Sequence, residues 1–73
     1  MSYIITSEKS CGGFAVHVAV DLILVTGRVW PHSNEVAFSV SQGGNPKARN
    51  LDTIIDMIRV ADSEITKFLE ERA

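Results

Sequence analysis

The sequence predicts an α+β fold: a small antiparallel sheet of three to four strands followed by one long C-terminal amphipathic helix. Three observations carry this reading. Between Phe14 and Leu24, and again between Val36 and Val40, apolar residues alternate with period two, as one face of a strand requires. From Leu51 onward the apolar steps become three and four, the spacing of one helical face. Turn residues divide the patterns, at Pro31-His32-Ser33-Asn34 and at Gly43-Gly44-Asn45-Pro46. The order is β-β-β-(β)-α.

Tyr3-Ile4-Ile5-Thr6 reads as a short first strand, and Ser7 to Gly13 as its connecting loop. In the next stretch Phe14, Val16, Val18, Val20, Leu22 and Leu24 face one way. Ala15, His17, Ala19 and Asp21 face the other. Ile23 and Val25 break this alternation, which calls for two buried faces or a bulge near Asp21. Thr26-Gly27 reads as a bend. A four-residue hairpin loop from Pro31 to Asn34 sets Trp30 opposite Glu35 and Val29 opposite Val36. Val36 then shares the odd-numbered face of Val29, Gly27 and Val25. Phe14 to Val20 use the even face, so the same bulge is needed to reconcile them.

The helix is read from Asn50 to Ala73. Its stripe is Leu51, Ile54, Ile55, Ile58, Ala61, Ile65, Phe68 and Leu69, with Ile58 at the centre and Met57 and Val60 off the seam. Asn50 can cap the first turn with its side-chain carbonyl, and Asp52 suits the positive end of the helix dipole. The stripe also fits three heptads, too few for a coiled coil to be its main role.

Seventy-three residues make one domain, with strands within 2–41, a Gly-rich connection at 42–49 and the helix at 50–73. Hydrophobic content of 45% with 22% charged residues excludes disorder as the default state. The longest apolar run, Leu22 to Val25, cannot span a bilayer, and no secretory leader is read. One cysteine, Cys11, closes no internal disulfide, which fits a cytoplasmic protein. A net charge of −2 without a basic run disfavours general nucleic-acid binding. The size suits a small bacterial or phage accessory protein.

The strongest local signal for a ligand is Gly43, Gly44, Lys47, Arg49 and Asn50, leading into the helix. Glycines admit close backbone approach, and a helix N-terminus offers unpaired N–H groups to an anion. The second Gly and Lys-Ser/Thr of a P-loop are missing, and an ordinary strand-to-helix connection explains the same residues. Over Lys47-Ala48-Arg49 the segment resembles the end of a double-stranded-RNA-binding domain. It departs from that family at Pro46, where a second basic residue is wanted, and in having no N-terminal helix. His17, His32 and Cys11 show no metal-ligand spacing and no base placed to activate the thiol. No catalytic residue, metal or cofactor is expected.

Dimensions point to self-association. A helix of ~23 residues is ~35 Å long and ~10 Å wide. Strands of ~7 residues reach ~23 Å, and four of them span ~19 Å. Part of the sheet must stay uncovered, and the helix is expected to overhang it at the C-terminal end. Ile65, Phe68 and Leu69, with Trp30, are therefore the expected interface of a homodimer. The expectation is a non-catalytic protein-interaction module that self-associates, with an anion- or nucleic-acid-binding module as the alternative.

Overall fold

The computed structural model describes residues 2–33, 35–43 and 51–72. Strands β1 (Ile4–Ser10), β2 (Gly13–Val20), β3 (Ile23–Val29) and β4 (Val36–Gln42) form one sheet in the order β1-β2-β3-β4. Each is antiparallel to the next. The helix α1 (Leu51–Arg72) packs on one face of this meander, mainly over β2 and β3. The chain is thus α+β with all four strands formed.

The hairpins are tighter than the sequence suggested. Ser7 to Ser10 are strand, not loop, and pair with Val16 to Gly13. Only Cys11-Gly12 turns the chain, with φ of 53° and 85°. Two successive left-handed residues are what a type I′ turn needs, and its twist matches that of the flanking strands. Asp21-Leu22 likewise links β2 to β3 in two residues, with Asp21 at φ 52°. This corrects the reading of Phe14 to Leu24 as one strand, and no bulge is required. A two-residue hairpin pairs Val20 with Ile23 and Val18 with Val25. Even positions of β2 therefore share a face with odd positions of β3. Thr26-Gly27 is no bend, since both residues pair in register on either side. The expected pairing of Val29 with Val36 is present.

The helix runs in the direction of β1. Tyr3 Oη donates a hydrogen bond to Asp56 Oδ2 near one end, and Lys9 Nζ meets Glu71 Oε2 at 3.2 Å near the other. Between these ties Met57, Ala61, Ile65 and Phe68 are buried against Phe14, Val16, Val18, Ile23, Val25 and Val29. Met57, placed off the seam by its spacing, is among the largest fully buried side chains. Ile58, expected at the centre, is only half-buried. The apolar arc of α1 is broader than the surface beneath it. The Met57–Phe68 side faces inward, against β2 and β3. Leu51 and Ile55 are left 65% and 40% exposed.

Gly27 fixes how closely the helix sits. A Cβ built there would stand 2.7 Å from Ile65 Cδ1 and 3.0 Å from Phe38 Cε1. The first is closer than carbon atoms tolerate and the second is tight, so the bare backbone makes room for Ile65. The expected C-terminal overhang is absent. The β1–β2 hairpin carries Phe14 beneath the last turns, where it stacks on Phe68. It is the N-terminal turn, at Leu51, that exposes its apolar side chain.

Candidate interaction surface

One helix cannot cover four strands, and both edge strands, β1 and β4, are left exposed, β4 being the more apolar and the uncharged one. Val36, Phe38 and Val40 pair with Val29, Gly27 and Val25, so they lie on the helix side of the sheet. They nevertheless remain 37%, 38% and 45% exposed. The helical wheel places Leu51, Ile55, Ile58 and Leu69 on the flank of α1 away from the Asp56 and Glu71 ties to β1. That flank overlooks β4. Strand and helix flank together form one apolar shelf, with the Phe38 ring leaning toward Gly27. Scattered exposed apolar residues are ordinary, but a contiguous set on one strand and the adjoining helix flank is the composition of a contact surface.

The opposite face of the sheet is mixed, with Ile4 and Leu24 exposed in one row and mostly small or polar residues in the others. Thr6, His17, Thr26 and Ser39 form one row across the four strands, and Glu8, Ala15, Arg28 and Ala37 form another. His17 Nδ1 and Thr26 Oγ1 share a hydrogen bond at 3.2 Å, and His17 Nε2 lies 3.9 Å from Glu8 Oε1. These contacts bind adjacent strands side by side and explain the half-buried His17 without a ligand. An open groove of about 350 Å³ lies by Glu8, Ala15, Arg28, Trp30 and Pro31. The groove holds no nucleophile with a base in reach. Among the described residues no three His, Cys, Asp or Glu side chains come together to hold a metal ion. No described helix is long and apolar enough to cross a membrane.

The residues singled out from the sequence fall in different places. Ile65 and Phe68 are buried in the core of their own chain, so they are not available to a partner. Leu69 is half-buried beside that core, and Trp30 is exposed at the end of β3 on the edge of the polar groove. Gly43 ends β4, and its N–H donates to the Leu22 carbonyl at 2.8 Å. Gly44, Lys47, Arg49 and Asn50 lie outside the described residues. The width argument anticipated an uncovered part of the sheet. The identity of that part was missed, because only the packing of α1 on β2 and β3 decides which strands are left bare. No protein-family model, curated protein sequence or solved structure matches this chain.

Proposed function

We propose that this chain is a non-catalytic protein-interaction module that self-associates through β4. One observation carries the reading: Val36, Phe38 and Val40 stay exposed on the face that β2 and β3 use as their core. A domain of this size is marginal on its own core, so leaving such surface in water costs stability that association recovers. Sedimentation equilibrium from about 10 to 300 μM tests the proposal, because contacts of modest size dissociate in that range. A mass that rises toward twice the chain mass is expected. A folded monomer throughout overturns it.

A further inference from the structure

We infer that two copies of this chain pair β4 edge to edge about a two-fold axis, joining their sheets into one of eight strands with both helices on the same side. The inference rests on the self-association proposed above and specifies how it is made.

The first support is the state of the edge. β4 is the last strand of the sheet, and no described strand pairs with its far side. The hydrogen bond from Gly43 N–H to the Leu22 carbonyl marks residues 22 and 43 as a directly bonded pair. Bonded pairs recur every second residue, so Ser41, Ser39 and Ala37 also aim their backbone groups at β3. Val36, Phe38, Val40 and Gln42 therefore aim theirs outward. The same residues that present apolar side chains toward the helix side present the open backbone donors and acceptors.

The second support is what the edge lacks. Solvent-facing edge strands are ordinarily guarded by charges, proline, bulges or shortness. β4 is Val-Ala-Phe-Ser-Val-Ser-Gln, seven residues without a charge, a proline or a bulge. The other edge is protected. β1 carries Glu8 and Lys9, and Lys9 is tied to Glu71 of the helix. One edge of this sheet carries charges that disfavour pairing and the other carries none.

The third support is self-complementarity. A two-fold axis perpendicular to the sheet keeps each residue on its own face, so only residues of equal parity can oppose one another. With Phe38 on the axis, Val36 faces Val40 of the partner subunit, and the two Phe38 rings meet. All of these residues have outward backbone groups, giving about six new backbone hydrogen bonds. A face-to-face arrangement fails the same test. It would bury the outer side of α1, where Asp52, Arg59 and Glu70 are exposed, and unpaired buried charges are costly. Strand-edge contact of this length is smaller than the ~800 Å² per partner of a standard interface, so the dimer belongs with reversible assemblies.

The test uses the parity of the strand. Val40→Pro deletes an outward N–H and leaves the ladder to β3 intact, whereas Val40→Thr keeps both the N–H and the branched shape. We expect V40T to dimerise like the parent protein in sedimentation equilibrium. V40P should stay folded by circular dichroism but weaken dimerisation by about tenfold or more. A folded V40P that dimerises like the parent overturns edge pairing while leaving self-association standing. A monomeric parent overturns both. Should V40P fail to fold, Cys11→Ser combined with Phe38→Cys decides the matter. Bonded antiparallel partners sit with Cα atoms ~5.5 Å apart, within disulfide range. Rapid intermolecular disulfide formation on mild oxidation is expected, and a dimeric sample that forms none overturns the inference.

Discussion

The ring of Phe68, near the end of the helix, lies flat on that of Phe14 at the start of β2, with centroids 4.7 Å and planes 8° apart. Lys9 Nζ stands 5.9 Å from the centroid of the same Phe68 ring. This stack joins residues 54 positions apart and anchors the last turns of α1 to the β1–β2 hairpin. Phe68→Ala should destabilise the fold by about 3–5 kcal/mol, the usual cost of emptying a buried aromatic site. Equilibrium denaturation in urea checks it. A loss below about 1 kcal/mol would mean the stack is not part of the cooperative core.

Because the helix is rotated away from its apparent centre, two apolar positions on it should respond in opposite ways. Met57→Asp places a carboxylate at a fully buried site and should abolish folding. Leu51→Asp, on the exposed first turn, should change stability by no more than about 0.5 kcal/mol. Thermal unfolding followed by circular dichroism separates the two. Equal sensitivity at both sites would contradict the orientation of α1.

A methyl group at Gly27 has no room. Gly27→Ala should cost about 1–3 kcal/mol, because the buried Ile65 Cδ1 must shift within the core to make room. Ile65→Val removes the Cδ1 atom that the new methyl would strike. The double variant should therefore lose less than the sum of the two single losses. The coupling is read from a double-mutant cycle, and strict additivity would show that the close approach is relieved elsewhere.

The bond from Tyr3 to Asp56 makes one pH prediction. The phenol is held above its usual value of 10.0, chiefly because the protonated form donates that hydrogen bond. Desolvation and the negative charge of Asp56 act in the same direction. A raised pKa means that the folded chain holds this proton more tightly than the unfolded chain. The resulting stability is complete below about pH 10 and is lost as pH rises through the folded value. Tyr3→Phe should remove this part of the alkaline decline. Melting temperatures between about pH 8 and 11 should fall less steeply in Y3F than in the parent protein.

Much of the fold is legible in the chain, since period two and period 3.6 are local signals written by side-chain direction. Val29 opposite Val36 follows from loop length alone. Asp21-Leu22 was hard to read because its flanks, Val20 and Ile23, are as apolar as the turn's own Leu22, and no glycine marks it. The left-handed φ of Asp21 is tolerated because its short polar side chain can bond locally. The face of the helix was misjudged for a different reason. Leu51 through Leu69 carry apolar residues over almost half the circumference, and the packing of Met57, Ala61, Ile65 and Phe68 against β2 and β3, residues far apart in sequence, decides which part turns inward. The exposed strand follows from that choice, so no local pattern in Val36 to Gln42 could announce it.

The off-centre helix also divides the sheet by local stability. β2 and β3 are held by the packing of α1, while β4 is held mainly by its ladder to β3. The amides of Ala37, Ser39 and Ser41, which close that ladder, should exchange with deuterium through an opening that leaves the rest folded. Those of Val25, Gly27 and Val29, bonded to β2 beneath the helix, should exchange only when the whole domain unfolds. β4 is paired on one side only, and any chain that pairs with its other edge must slow its exchange. Protection at Ala37, Ser39 and Ser41, followed against protein concentration, reads the occupancy of that edge residue by residue.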